Sequence, residues 1–399
     1  MTTDMPTAMI DVALAIDLRR TITAGHPWVY DRALAGAARM RAGELVRLRD
    51  RRGLLAVGFA DPASPIRVRV LSADPAAETG DEWAAYRAGR AAALRRADPR
   101  LDATSAVRLV HGEGDFMPGL VIDLYDTTAV VLFDGEGAAA FWTPRMPAVM
   151  DGLRGGGFDI DRAWLRERGR AGRGRNLFGP EPAPAIQVHE DGARYQVDVR
   201  WGQKTGLFLD QRDNRRHVGR LAAGRTVLNL FGYTGGFSIH AGLGGARRVV
   251  TVDSAAAAIA AAERNLSLSG LDSSAHELRA ADAFDYLAAA AASGRRFDLV
   301  VCDPPSFAPR ADAVGAARGA YRRLNAMAMA VVAPGGLLFT ASCSSHFGRA
   351  DLASAVAEAA ADTGRGVLIR AQHGAAGDHP VLPAFPEGDY LAFLDCAIA

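Results

Sequence analysis

Residues 227–253 read VLNLFGYTGGFSIHAGLGGARRVVTVD, and no other stretch narrows the possible folds as much. Strand formers from Val227 to Leu230 stop abruptly at Phe231-Gly232. Gly235 and Gly236 remove side chains where a backbone must approach a ligand closely. Phe237 to Leu243 carries a helical apolar pattern, and Arg248 to Val252 reads as a second strand ending in Asp253. A strand, glycine turn, helix and strand in this order open a doubly wound α/β sheet. A carboxylate at the tip of the second strand can hold two ribose hydroxyls. The glycine spacing is not the dinucleotide pattern, and no Lys follows as in a Walker phosphate loop. The stretch therefore predicts a pocket for a nucleoside-like ligand with an ordinary ribose, and S-adenosylmethionine is the leading candidate. A purely structural strand-turn-helix would look similar at this level.

The strand ends that follow sharpen the choice. Glu277 to Ala281 reads as a third strand, followed by Asp282. FDLVVC (Phe297 to Cys302) is a buried fourth strand that runs into Asp303-Pro304-Pro305-Ser306-Phe307. Tyr321 to Val332 reads as a helix, and Gly335 to Ser342 as a fifth strand ending in Ser342-Cys343-Ser344. Gly366 to Arg370 and Tyr390 to Ala397 supply two further strands. Ligands of such sheets bind at the carboxyl ends of the strands, where Gly232, Asp253, Asp282, Asp303 and Cys343 all fall. Asn229, Phe231, Gly232, Tyr233, Gly235, Asp253, Asp282 and Asp303 are thus the expected cofactor residues. Asp282 suits an acceptor for an adenine amino group.

Asp303 and Cys343 are the expected catalytic pair. Two prolines hold the backbone after Asp303 rigid, so Asp303, Pro304 and Pro305 can meet the edge of a planar base, with Phe307 available to stack. A thiolate at Cys343 can attack carbon 6 of a pyrimidine and make carbon 5 nucleophilic toward a sulfonium methyl group. Cys302 and Cys396 lie inside apolar strands and read as inert core thiols.

The chain before this sheet is organised differently. Residues 1–75 hold closely spaced strands at 43–50, 54–61 and 66–72, the pattern of a small β barrel or half-barrel. Trp28 in Gly25-His26-Pro27-Trp28 reads as a core residue, and His26 as structural. Residues 76–185 read as an α+β segment, with a helix at 81–97, a strand-turn-strand at 108–126, a strand at 129–133 and a helix at 141–153. DRAWLRERGRAGRGR (Asp161 to Arg175) holds six arginines against two acids, and its glycines predict flexibility. Arg168 and Arg170 there could track a phosphate backbone, or belong to a solvated loop. Residues 186–399 begin with a hairpin around Asp191-Gly192 and continue into GQKTGLFLDQRDNR (Gly202 to Arg215). That segment reads as a cover over the cofactor pocket or as a charged helix start, with Lys204 and Arg212 as RNA contacts.

Composition sets the outer limits. A formal charge of +1 argues against a strongly basic coat and confines any nucleic-acid contact to a patch. Three cysteines without metal-ligand spacing predict neither a metal site nor a disulfide framework, and fit a reducing cytoplasm. The first residues lack a basic start before an apolar run, so no signal peptide is expected. No run approaches the ~20 apolar residues that span a bilayer.

Taken together these motifs resemble the bacterial 23S ribosomal RNA large-subunit cytosine-5 methyltransferase family. GHPWVY (25–30) looks like the start of that family's PUA domain, and GEGDFMPGLVIDLY (112–125) like its central domain. GQKTGLFLDQRDNR is its most specific signature. VLNLFGYTGGFS, DPPSF and SCS resemble its cofactor, base-edge and nucleophile motifs, and DHPVLPAFPEGDYL (378–391) its C-terminal signature. The resemblance implies a PUA barrel, an α+β middle domain and a class I methyltransferase domain. It also implies S-adenosylmethionine as cofactor, ribosomal RNA as partner and Cys343 as nucleophile. Ser306 departs from the pattern, since a basic residue is common there. A homodimer is compatible with these features. The alternatives are methylation of a guanine nitrogen and an inactive RNA-binding ribosome-assembly factor.

Overall fold

The computed structural model describes residues 9–36, 39–167, 173–308, 310–344 and 346–399. The chain packs as two compact units, one formed by 1–186, 198–207 and 378–388, the other by 187–197, 208–377 and 389–399.

In the first unit, β1 (Ile10–Ala13), β2 (Trp28–Tyr30), β3 (Leu45–Asp50), β4 (Gly53–Ala60) and β5 (Ile66–Ser72) form a sheet of order β1-β3-β4-β5-β2. One face is closed by α1 (Arg19–Thr23), through Ile22, over a core of Val29, Val46, Leu48 and Val68. The other face of β4 joins a second core. Phe59 stacks on Phe141 with ring centres 4.7 Å apart, and both belong to a cluster with Leu109, Ile122, Val131 and Leu153. A strand buried on both faces reads as a continuous apolar run, which is why residues 55–60 do not alternate.

That second core lies on a sheet of β6 (Ala106–His111), β7 (Leu120–Tyr125), β8 (Thr128–Phe133), β9 (Arg162–Arg166) and β10 (Gly174–Phe178), in order β10-β9-β8-β7-β6. It is covered by α2 (Asp81–Arg96), α3 (Glu136–Trp142) and α4 (Met146–Gly155). The single helix expected at 141–153 is broken at Thr143–Arg145, next to Pro144 and Pro147, neither of which can donate an amide hydrogen to the preceding turn. The Arg/Gly segment also departs from expectation. Its end is β10, paired antiparallel to β9 with Gly174 opposite Arg166 and Arg175 opposite Leu165. The glycine there serves close packing, because a Cβ on Gly174 would fall 2.7 Å from the Trp164 ring.

The second unit begins with the hairpin β11 (Ile186–Glu190) and β12 (Ala193–Val197), turned by Asp191 at φ 50° and Gly192 at φ 87°. After α5 (Arg212–Arg220) come β13 (Thr226–Leu230), α6 (Gly236–Leu243), β14 (Arg248–Asp253), α7 (Ala256–Leu268), β15 (His276–Ala280), α8 (Ala283–Ala292) and β16 (Phe297–Cys302). Then follow α9 (Val314–Val331), β17 (Val332–Ser342), α10 (Arg349–Thr363), β18 (Val367–His373) and β19 (Ala392–Ile398). The sheet runs β15-β14-β13-β16-β17-β19-β18, parallel through β17, with β19 antiparallel to both its neighbours. Side chains alternate between its two faces. Leu228, Leu230 and Val300 meet α8, α9 and α10 on one face, while Val227, Leu299 and Phe339 meet α5 and α6 on the other. Strand order reverses between β13 and β16, and a doubly wound sheet opens its ligand crevice at that point. No helix among the described residues is long and apolar enough to cross a membrane.

Candidate active site

The turn after β13 is built for close approach. Phe231 (φ 57°), Tyr233 (φ 46°) and Gly235 (φ 87°) are all in the left-handed region, a costly run for two aromatic residues. Gly232 has its amide on Val252 O at 3.0 Å, and a Cβ on it would collide with Thr251 Cγ2 and fall 3.2 Å from Asn229 Nδ2. Below the turn, Asn229 Nδ2 donates to Ser238 Oγ at 2.9 Å, and Ser238 Oγ lies 2.7 Å from Thr251 Oγ1. Asn229 Oδ1 is buried without a hydrogen-bond partner among the described residues. A buried acceptor left open beneath a side-chain-free turn fits a polar ligand seated there.

Asp253 closes the other side. The Tyr233 amide donates to its Oδ2 and the Ala255 amide to its Oδ1, both at 2.9 Å. These bonds fix the carboxylate and leave it acceptor capacity for two hydroxyls. Asp282 stands where the sequence put it, after β15, and also has a second task as N-cap of α8. Its Oδ1 accepts from the amides of Phe284 and Asp285 at 2.8 and 3.1 Å.

The expected catalytic residues come from neighbouring strands. Cys302, the last residue of β16, pairs with Thr340 of β17, so Asp303 and Cys343 leave adjacent strands on the same edge. Cys343 Sγ lies 3.9 Å from the carbonyl oxygen of Pro304. Pro304 is buried, Pro305 is exposed, and Asp303 and Cys343 are half-buried. Phe307 is half-buried too, with one side packed on Tyr321 at 4.9 Å between ring centres. Burial pushes the Cys302 thiol far above its ordinary range and the Cys396 thiol up to about 12, which keeps both protonated.

Several supporting residues carried no sequence signal. Glu190, at the end of β11, is fully buried and accepts from Arg215 Nε and Nη2 at 2.7 and 2.6 Å. His240 Nε2 stands 3.0 Å from the same carboxylate. Burial by itself would raise the Glu190 pKa, but the Arg215 charge and the bonds from His240 and Arg215 overcome it and hold the group well below the carboxylate range. Arg215 packs directly under the glycine turn, since a Cβ on Gly236 would fall 2.8 Å from its Cδ. Asn265 of α7 ties the turn from the other side, donating to Thr234 O at 3.1 Å.

The RNA residues named from sequence scatter. Arg212 is a correction. It is fully buried, with Nε 3.6 Å from Glu190, so its charge serves the interior of this unit and not a solvent-borne phosphate. Lys204 is exposed and belongs to the other unit. Arg168 and Arg170 lie outside the described residues.

Comparison with known proteins places the chain in a family. Residues 161–364 match the S-adenosylmethionine-dependent methyltransferase family, and residues 15–73 match a PUA-like domain. The chain is 38% identical to a ribosomal RNA large subunit methyltransferase of Deinococcus radiodurans, over 97% of this chain and 96% of that one. It is 34% identical to ribosomal RNA large subunit methyltransferase I of Erwinia tasmaniensis, over 98% and 99%. A solved Streptococcus mutans chain assigned as a SAM-dependent methyltransferase has the same fold, with TM-score 0.83 at 21% identity over 98% of this chain and 100% of that one. With its PUA-like segment and its S-adenosylmethionine-dependent catalytic domain, the chain belongs to the ribosomal RNA large subunit methyltransferase family.

Proposed function

We propose that this methyltransferase modifies carbon 5 of a cytosine in large-subunit ribosomal RNA, with Cys343 as nucleophile. The observation that carries the reading is the placement of Cys343 Sγ 3.9 Å from Pro304 O, beside the rigid Asp303-Pro304-Pro305 turn. The RNA class is supported by the relatives' names. The bound cofactor supplies an electrophilic methyl group on its sulfonium. Gly232, Tyr233 and Gly235 would shape its seat, Asn229 would offer a buried acceptor, Asp253 would take the ribose and Asp282 the adenine edge. Cys343, half-exposed, gives its proton to solvent water, and the thiolate adds to carbon 6 of the ring, which moves electron density to carbon 5. Asp303, in its acid form or through the base's own proton, stabilises that density on the polar edge of the ring. Once carbon 5 carries the methyl group, its proton passes to solvent water and the bond between carbon 6 and Cys343 Sγ breaks, which restores the aromatic ring and the thiolate. In this reading residues 1–75 and 76–185 contribute RNA contacts and residues 186–399 the chemistry, in the cytoplasm.

Cys343→Ala is expected to abolish methyl transfer while cofactor affinity, measured by calorimetry, stays at the wild-type value. RNA containing 5-fluorocytosine is expected to trap the wild-type protein covalently and to leave the variant free. Methylation by a base nitrogen acceptor would give no trapped complex, and full activity of the variant would remove Cys343 from the chemistry.

A further inference from the structure

The first unit holds a cleft of about 550 Å³. Its wall includes Arg108, Glu113, Asp134, Arg166, Trp201 and Lys204. Trp201 is 67% exposed, an unusual state for the side chain with the most apolar area to hide. It is not loosely held. The Trp201 amide donates to Asp198 Oδ1 at 2.9 Å, the Gly202 amide to Asp198 O at 3.0 Å and the Gly206 amide to Gln203 O at 2.8 Å. Arg166 donates to Gly202 O, and Thr205 Oγ1 donates to Asp123 Oδ2 at 2.6 Å. Lys204 adopts φ 50°, a strained value for a long side chain. A turn braced at this many points presents Trp201, Gln203 and Lys204 outward as a fixed set.

The charges on the wall are balanced in place. Arg69, 2% exposed, holds Glu113 at 2.7 Å and Asp134 at 2.9 Å, and Arg108 donates to both oxygens of Asp123 at 2.7 and 2.8 Å. A wall with both acceptors and donors and little net charge suits a polar ring better than a run of phosphates. An exposed indole supplies a stacking face for a base. We infer that this cleft takes one unstacked nucleotide of the RNA, its base on Trp201. The inference rests on the RNA substrate proposed above.

The test uses the full chain and the variants Trp201→Ala and Trp201→Phe. Each is titrated with an end-labelled single-stranded RNA oligonucleotide, and cofactor affinity is measured alongside as a check on folding. Trp201→Ala is expected to lose roughly 10-fold or more in RNA affinity, the range of one base stack. Trp201→Phe is expected to keep most of it, and both should bind cofactor normally. RNA carrying 5-iodouridine should photo-crosslink to the peptide that contains Trp201. Unchanged RNA affinity in Trp201→Ala, or crosslinks that avoid residues 198–206, overturns the inference. Cytidine monophosphate binding as tight as the oligonucleotide would also overturn it and mark a site for a free nucleotide. Failure of the underlying RNA reading looks different, because the wild-type chain would then neither bind nor methylate RNA.

Discussion

Arg215 grips Glu190 with two nitrogens, Nε at 2.7 Å and Nη2 at 2.6 Å, and both side chains are almost wholly buried. The pair spans from the β11–β12 hairpin to the helix that packs under the glycine turn. Removing one partner leaves the other as an uncompensated buried charge, at a cost of about 3–5 kcal/mol. Glu190→Ala should therefore lower the urea midpoint substantially and weaken cofactor binding, since Arg215 no longer has a fixed place beneath Gly236. The pH dependence has a definite sign. The folded pKa is depressed below the ordinary value of 4.5, so the carboxylate's contribution is complete above that pH and drains away below it. Wild-type stability should fall more steeply than that of Glu190→Gln on going from roughly pH 5 to pH 3. Parallel curves for the two proteins would remove Glu190 from the pH dependence.

The three cysteines should separate cleanly by reactivity. Cys302 and Cys396 are buried and held protonated, whereas Cys343 is half-exposed at a strand end. Only a thiolate alkylates readily. Iodoacetamide at neutral pH should label Cys343 alone in the folded chain, with loss of methyl transfer in step with labelling. Peptide mass mapping reads the site. In denaturant all three should react, and early labelling of Cys302 in the folded protein would contradict the burial described here.

The sheet was legible because period and position coincide. Buried parallel strands such as FDLVVC read as apolar runs, and Gly232, Asp303 and Cys343 each follow one, while Asp253 ends β14 and Asp282 follows the more exposed β15. What stayed hidden depends on contacts far apart in sequence. Glu190 meets Arg215 and His240 across 25 and 50 residues, and nothing in VHEDG announces it. Arg212 looked like a surface cation because its neighbours are charged, yet the helix periodicity turns it inward with Arg215. The strand at 174–178 is masked by Gly174, which serves packing on Trp164. The helices α8 and α10 are alanine-rich and lack a strong apolar stripe, so their periodicity announces little.

Tyr321 connects the helix α9 to the strand that delivers Cys343. Its hydroxyl donates to Ser342 Oγ at 3.0 Å, and Ser342 Oγ donates to Phe347 O at 3.1 Å. Burial pushes the phenol up to about 12, so it is a neutral donor at physiological pH. Tyr321→Phe keeps the ring stack on Phe347 but breaks this chain, at a cost of about 1 kcal/mol in stability. Because Ser342 precedes Cys343 directly, the variant should lower kcat for RNA methylation by several-fold while cofactor affinity holds. Unchanged kcat in a variant of the expected lower stability would leave the hydrogen bond with a purely structural role.

Gly232 offers a test in which the damage can be partly undone. Its backbone is in an ordinary region, so alanine there is a matter of space alone. The new methyl would run into Thr251 Cγ2 and crowd Asn229 Nδ2. Either the turn shifts outward into the cofactor's seat, or Thr251 moves and strains its contact with Ser238 Oγ at 2.7 Å. Overpacking of this kind costs about 1–3 kcal/mol, and Gly232→Ala should weaken cofactor binding by roughly 10-fold or more. Thr251→Ser removes the clashing Cγ2 and keeps the hydroxyl that meets Ser238. Combined with Gly232→Ala it should restore a large part of the lost affinity, while Thr251→Ser on its own changes little. Calorimetric titration of the four proteins closes the cycle. A double variant as weak as Gly232→Ala would show that the new methyl disturbs the ligand or Asn229 directly, and that Thr251 is not what limits the turn.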